Sequence, residues 1–287
     1  MGGEYKTLIY EPGIVTKIIH NEPEKTNAMG AEFQTEFLDA MNKFETDREA
    51  RVAVSLSNGK HFSAGHDITI LSTKQTWKAG EKTEWGEPKW RRVNNPRTWA
   101  YPVWECSKPL VAGVRGAALA AGAMFALFHD IIVMGETSYM GFEITRVSGA
   151  FGGMLQMWLG YRKAFELLAT GWNISSQELY RLGAVNKVVP DDNVGAEALK
   201  YAEIIALMPP ETVMLSKMSL KLGMGLMGAK EQIWHNEEVN TLVHCVDNEQ
   251  EKEFYRIMKE EGMRAALEFR DAPFEKYGYS RHKANSI

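Results

Sequence analysis

Two short loops of small residues are the first places where this chain can do chemistry. His61-Phe62-Ser63-Ala64-Gly65-His66-Asp67 follows the apolar run Val52-Ala53-Val54-Ser55-Leu56, and Gly116 to Gly122 follows Pro109-Leu110-Val111-Ala112-Gly113-Val114. Small residues at a strand-to-helix turn let a ligand approach backbone N–H groups closely. A helix that begins just beyond such a turn adds positive potential. Two loops of this kind can aim two backbone donors at one carbonyl oxygen and stabilise charge that develops on it. Taken singly, each loop has a plainer reading, tight packing of a helix against a sheet.

Other chemistries find less support. The seven histidines contain no HExxH pair, the arrangement of a zinc protease. Cys106 and Cys245 are too few for a disulfide framework and lack metal-like spacing, so they read as reduced thiols. Ser63 precedes Ala64-Gly65 without the GxSxG elbow of a serine nucleophile. No metal, redox nucleotide or covalent nucleophile is suggested. A net charge of −4 lacks the clustered basic footprint of a nucleic-acid binder, so any phosphate site must be local. Met1 to Tyr10 is polar, and the longest apolar run, Gly116 to Phe128, is too short to span a bilayer. These features predict a cytoplasmic protein without a membrane partner.

The elements that must position the two loops are legible from periodicity. Tyr5 to Tyr10 and Ile14 to Ile19 alternate like strands joined at Pro12-Gly13. Ala31 to Phe44 has helical spacing, with Phe33, Phe37, Leu38, Met41 and Phe44 on one face. Val52 to Leu56, Pro109 to Val114 and Asp130 to Met134 read as buried strands, with a buried helix over Ala123 to Phe128. The alternation predicts an α/β fold. Beyond Gly195 only helical patterns remain, at 196–207, 212–222, 229–246 and 250–260. The boundary is placed at Pro209-Pro210, giving a core over 1–208 and a helical region over 209–287. Five of the eight tryptophans, Trp77, Trp85, Trp90, Trp99 and Trp104, fall in one charged segment. That segment reads as a surface insertion packed on the body or as a wall of a substrate pocket, since flat rings line apolar sites well.

Six blocks, in order, resemble the enoyl-CoA hydratase/isomerase (crotonase) superfamily, with some likeness to its hydroxycinnamoyl-CoA hydratase-lyases. Asn21-x-Pro23-Glu24-Lys25-x-Asn27-Ala28-Met29 resembles NRPEKxNAL, and Phe62-Ser63-Ala64-Gly65-His66-Asp67-Ile68 resembles FxAGxDL. Lys108 to Gly116 resembles KPVIAAVNG, and Asp130-Ile131-Ile132-Val133 matches the strand after the small-residue helix. Thr170-Gly171 with Gly183 to Pro190 resembles TG…GLVNxVVP, and Glu261-Gly262-Met263-Arg264-Ala265 resembles EGxxAF.

The resemblance implies a spiral of β-β-α units with a helical C-terminal trimerisation region, and a homotrimer or homohexamer. It implies an acyl-CoA thioester as ligand, with coenzyme A part of the substrate and no separate cofactor. Residue by residue, the two oxyanion donors fall on the backbone of His66 and Ala121. The His66 imidazole reads as a bystander, and Ala121 serves if the turn needs no positive φ there. Of the two glutamates that family hydratases place around a water, the first aligns with Met124, which cannot exchange a proton, and the second with Glu143. A carboxyl between Phe142 and Ile144 can have a raised pKa and act as acid or base; the plainer reading of Glu143 is an ion pair with Arg146. Tyr139 reads as a packed phenol, with a catalytic role near the thioester, as in decarboxylase relatives, the alternative. Coenzyme A is expected near Lys25, Ala28 and the Ala64 loop, including Asp67 and Ile68, helped by a basic residue such as Lys276 or Lys283. Met124, Trp99 and Trp104 are expected against the acyl group. One retained glutamate favours a hydratase or hydratase-lyase acting on a bulky, cyclic or aromatic enoyl thioester. An isomerase, a hydrolase or decarboxylase, and a non-catalytic CoA-binding paralogue remain as alternatives.

Overall fold

A computed structural model describes residues 5–68, 96–149, 152–243, 246–281 and 283–284. Trp77, Trp85 and Trp90, and with them most of the tryptophan-rich insertion read as a surface segment or a pocket wall, lie outside the described residues.

A six-stranded sheet runs in the order β1-β2-β3-β4-β6-β9. Its strands are β1 Leu8–Glu11, β2 Val15–His20, β3 Val52–Ser57, β4 Leu110–Val114, β6 Ile131–Gly135 and β9 Lys187–Val189. Only β1 is antiparallel to its neighbour. The parallel strands are covered on both faces, as such strands must be. Val52, Val54, Val111 and Val133 turn to one side, where α7 (Val194–Ala206) packs Val194, Ala198 and Ala202 on them. On the other side α1 (Ala31–Thr46) buries Phe33, Phe37, Met41 and Phe44 with Phe125 of α3 (Ala121–Leu127). Each such side chain contributes about 1.5–3 kcal/mol on burial.

A second sheet, of three residues per strand, holds β5 Ala117–Leu119, β7 Tyr139–Gly141 and β8 Asn173–Ser175. Its strands do not show in the sequence pattern, and the segment of β5 was expected to be loop. Three residues give no measurable period, and alanine is a poor strand former. β5 forms because the 61–67 loop stitches to it: Phe62 and Ser63 donate to the Ala117 carbonyl at 3.0 and 3.2 Å, and Leu119 donates to Ser63 at 2.9 Å.

Short helices α2 (Ala100–Glu105), α4 (Leu155–Leu159), α5 (Tyr161–Thr170) and α6 (Ser176–Arg181) complete the body. Beyond it run α8 (Pro210–Leu226), α9 (Ala229–Val243), α10 (Glu249–Glu260) and α11 (Met263–Glu275). The last was not marked as a helix by periodicity, and it carries Pro273 inside it. No helix among the described residues is long and apolar enough to cross a membrane.

Candidate active site

The two small-residue loops meet. Gly65 has φ +85°, open to glycine at no steric cost, and a Cβ built there would lie 2.7 Å from the Leu119 carbonyl and 3.2 Å from the Ala121 nitrogen. Any larger residue would push the 61–67 loop off the start of α3. Ala121 is the first residue of α3, so its N–H has no acceptor within the helix. The positive φ of this turn, +49°, falls on Ala120, one residue earlier; the condition set for Ala121 is therefore met. Alanine at that angle is strained by about 1–3 kcal/mol. It is held there by its N–H donating to Gly141 at 2.7 Å and by Met124 donating back to its carbonyl at 3.1 Å.

The same contact brings in Glu143. Leu119 pairs with Gly141 in the β5–β7 register, and Glu143 opens a 3₁₀ turn two residues further on. Its carboxyl is 2% exposed, and Oε1 has no hydrogen-bond partner among the described residues. Burial pushes it above the usual carboxylate range; the guanidinium of Arg270 opposes that shift without cancelling it. Arg146 does not pair with it. Its guanidinium meets Asp271 at 3.0 Å, donates to the Thr170 and Gly171 carbonyls, and lies over the rings of Phe274 and Tyr279. Asp271 also takes Arg270 at 2.8 Å and Arg281 at 2.7 Å. One carboxylate thus holds three arginines beside Glu143. Tyr139 donates to the Arg281 carbonyl at 3.0 Å, and burial lifts its pKa to about 12.

On the apolar side, Met124 lies one turn into α3 from Ala121 and is 4% exposed. Phe128, a turn further, contacts Trp99 at 6.1 Å, Trp104 at 6.4 Å and Trp158 at 5.7 Å between ring centroids. Trp99 stands edge-on to the His66 imidazole at 5.4 Å. Phe128, at the end of α3, thus gathers Trp99, Trp104 and Trp158, with His66 beyond Trp99, and Met124 precedes it by four residues.

The segment with Lys25 and Ala28 lies against the 61–67 loop. Ala64 donates to Thr26 at 2.9 Å, Met29 to Gly65 at 2.7 Å, and the Ser63 hydroxyl to Asn27 at 2.7 Å. Asn27 spans the joint, its amide donating to Asn58 and His61. Lys25 is exposed and paired with Glu22 at 2.5 Å. Asp67 borders Gly30, and Ile68 packs with Val147 and Phe254. Lys276 and Lys283 are also exposed; the Lys283 backbone reaches the site through Asn173, its carbonyl accepting from that amide at 3.0 Å. A separate groove of about 690 Å³ between α1, α2 and α9, with Met41, Tyr101 and Trp234 in its walls, contains none of these residues. Among the described residues no group of three or more His, Cys, Asp or Glu could hold a metal ion.

Sequence reasoning missed the polar residues that hold this corner from outside. Asn236 Oδ1 accepts from Gly152 at 2.7 Å and Gly153 at 2.9 Å, and Asn248 donates to the Val147 carbonyl at 2.7 Å. Both come from the C-terminal helices and clamp the segment that follows Glu143. Asp271, Arg270 and Asn173 belong to the same group. No local motif marks them; Asn27 was within reach, since it sits in the turn-forming run Asn21 to Asn27.

A spiral sheet whose two glycine- and alanine-rich turns converge beside a buried carboxyl defines a crotonase-type enzyme. The enoyl-CoA hydratase/isomerase family model matches residues 11–277, and the chain belongs to that family. It is 33% identical over 221 residues to a putative enoyl-CoA hydratase of Thermus thermophilus, covering 75% of this chain and 85% of that one. It is 27% identical over 264 residues to the 2,3-dehydroadipyl-CoA hydratase of Escherichia coli, covering 89% and 92%. A crystal structure of an enoyl-CoA hydratase/isomerase from Xanthobacter autotrophicus Py2 superposes with a TM-score of 0.85 at 27% identity, over 94% of this chain and 99% of that one.

Proposed function

We propose that this enzyme adds water across the α,β double bond of a bulky enoyl-CoA thioester with a single carboxyl group, Glu143. The observation that carries the reading is the buried Glu143 carboxyl, open at Oε1 and two residues beyond Gly141, whose carbonyl accepts from the Ala120 N–H, with Met124 where a second carboxylate would stand. The thioester oxygen lies between the N–H groups of His66 and Ala121. Water bonds to Cβ, the π electrons move onto that oxygen, and the enolate collapses by taking a proton at Cα from Glu143. The added water returns one proton to the carboxyl. Two backbone donors of this kind are each worth about 10²–10³-fold in rate.

Residues 1–208 form the acyl-CoA-binding core. Coenzyme A lies along Lys25, Ala28, Ala64, Asp67 and Ile68, where Lys25 exchanges Glu22 for phosphate. The acyl group faces Met124, Trp99 and Trp104, and the buried rings there favour a cyclic or aromatic group over crotonyl. Residues 209–287 carry the assembly surface: Leu215, Met218, Leu222, Leu226 and Met227 are exposed, and an apolar helix face of that extent needs a cover. A homotrimer or a dimer of trimers provides one.

The test is turnover of a panel of enoyl-CoAs, with and without Trp99→Ala and Trp104→Ala. The expected result is hydration, with kcat/KM for the bulky substrate falling further than that for crotonyl-CoA. Equal losses reduce both tryptophans to packing, and CoA binding without turnover makes the chain a non-catalytic binder. The missing carboxylate at Met124 favours one second reading, a double-bond isomerase, since one carboxyl suffices to move a proton between Cα and Cγ. Conversion of a 3-enoyl-CoA without net hydration distinguishes it.

A further inference from the structure

Gly141 ends β7, and in the space left by its missing side chain two buried oxygens face the same point. A Cβ built there would lie 2.2 Å from Asn173 Oδ1 and 3.0 Å from Glu143 Oε2. The β7–β8 register sets Asn173 directly opposite Gly141, so the backbone fixes this approach. Asn173 is 1% exposed, and neither its Oδ1 nor Glu143 Oε1 has a hydrogen-bond partner among the described residues. Buried acceptors are nearly always paired; here Asn173 Oδ1 is unpaired, and the Glu143 carboxyl, whose Oε1 is also unpaired, turns its Oε2 to the same notch. The amide cannot be turned over to relieve this. Its Nδ2 donates to the carbonyls of Ser280 at 3.4 Å and Lys283 at 3.0 Å, which an amide oxygen could not satisfy. One proton resolves the conflict: a neutral carboxyl donates to the amide oxygen, whereas a carboxylate would face the negative end of its dipole.

We propose that Asn173 is a positioning residue that holds Glu143 as the protonated acid, its Oδ1 accepting the carboxyl proton between turnovers. The proposal rests on Glu143 being the proton donor of the reaction above. Rotation about the broad terminal torsion of glutamate carries the proton from Asn173 to Cα. The other groups that face Glu143 do not replace this contact. Arg270, the backbone N–H of Glu143 itself and Arg146 favour the carboxylate and Asp271 favours the acid, while direct contacts tie Arg146, Arg270 and Arg281 to Asp271. Tyr139 spends its proton on Arg281. The Tyr279 ring lies over Arg146 at 3.7 Å, and its buried hydroxyl, which feels the Glu143 charge, makes no hydrogen bond to Glu143 or to any other described residue.

The test is the pH dependence of kcat in Asn173→Leu and Asn173→Asp. Both variants lose the amide donor to Ser280 and Lys283, so an effect of the C-terminal tail alone moves both limbs the same way. The oxygen contact predicts opposite movements. Asn173→Leu removes the acceptor and brings the loss of activity to lower pH. Asn173→Asp adds a like charge and carries that loss to higher pH. Each displacement is expected to change the ratio of protonated to ionised Glu143 at fixed pH on the order of tenfold. Limbs that move together or stay in place overturn the proposal. If neither variant folds, infrared difference spectra of wild type against Glu143→Gln decide it. A protonated, hydrogen-bonded carboxyl band at neutral pH is expected; a carboxylate band or a free-acid band overturns it. Full activity in Glu143→Gln would instead remove the reading of Glu143 itself, whatever Asn173 does.

Discussion

The helices that follow the core differ in what they leave exposed. α10 and α11 turn inward: Phe254, Ile257 and Met258 are buried against Val147, and Asp271 sits with three arginines beside Glu143. α8 is held to the body by Lys217, which meets Asp130 at 2.5 Å and the Lys108 carbonyl at 2.6 Å. Lys221 holds it too, donating to the Trp104 carbonyl. Its remaining surface presents Leu215, Met218, Leu220, Leu222 and Leu226 outward. Composition does not separate them, since all are apolar and charged, and α8 too buries a charge, Lys217 on Asp130; the apolar face that α8 leaves exposed does. Where guanidinium and carboxylate are desolvated together, the contact is specific and breaking it is costly; where the leucines of α8 face outward, apolar surface is left uncovered in the single chain.

That contrast can be broken at its strongest point by Asp271→Ala. Three arginines lose their shared carboxylate, and stripping one partner from a buried ion pair costs about 3–5 kcal/mol. A large fall in the urea midpoint is expected; a wild-type midpoint would mean the cluster is not holding the tail. Asp271 also gives the loss a pH signature. Burial raises its pKa, but Arg270 and then Arg281 outweigh that and hold it below the usual carboxylate range. Its stabilisation is therefore full above the unfolded carboxylate pKa and disappears as acid takes pH down through the lowered folded value. The mutant should lose less stability on acidification than wild type over that window.

Next in size is Glu143→Gln, expected to lower kcat on the order of 100-fold or more with little change in thioester binding. Isothermal titration with a thioester beside steady-state kinetics separates the two terms, and wild-type turnover would end the assignment. A smaller effect is expected from Asn236→Ala. It strips the acceptor from the Gly152 and Gly153 N–H groups and should cost about 1–3 kcal/mol, read in thermal unfolding. The smallest effect on the fold itself belongs to Leu222→Asp with Leu226→Asp. An exposed face tolerates such changes within about 0.5 kcal/mol, so the circular dichroism spectrum should stay as it is. Light scattering should nevertheless fall to the mass of one chain. A wild-type protein already monomeric at micromolar concentration would remove the assembly surface and half of the contrast.

Much of the fold follows from local pattern. The strands of the large sheet through β6, helix α1 and most of the late helices have periods long enough to read. So do the small-residue loops, whose glycines and alanines mark a close backbone approach. Motif blocks spread from Asn21 to Ala265 placed His66, Ala121 and Glu143 as candidates. They could not place Asn173, Asn236, Asn248 or Asp271, because those residues act across long separations: Arg146 and Asp271 are 125 residues apart. The strands β5, β7 and β8 were equally hidden, since three residues have no period and their pairing is decided by a neighbouring loop.

By itself the sequence determined the α/β alternation, the family and the apolar residue at Met124, all of which depend on residue type and order. Only the tertiary structure decided which charges face Glu143, where Arg146 is drawn away by Asp271, and which oxygens are left without a partner around Gly141. Those depend on desolvation and on distances between segments far apart in the chain, and a one-dimensional pattern carries neither.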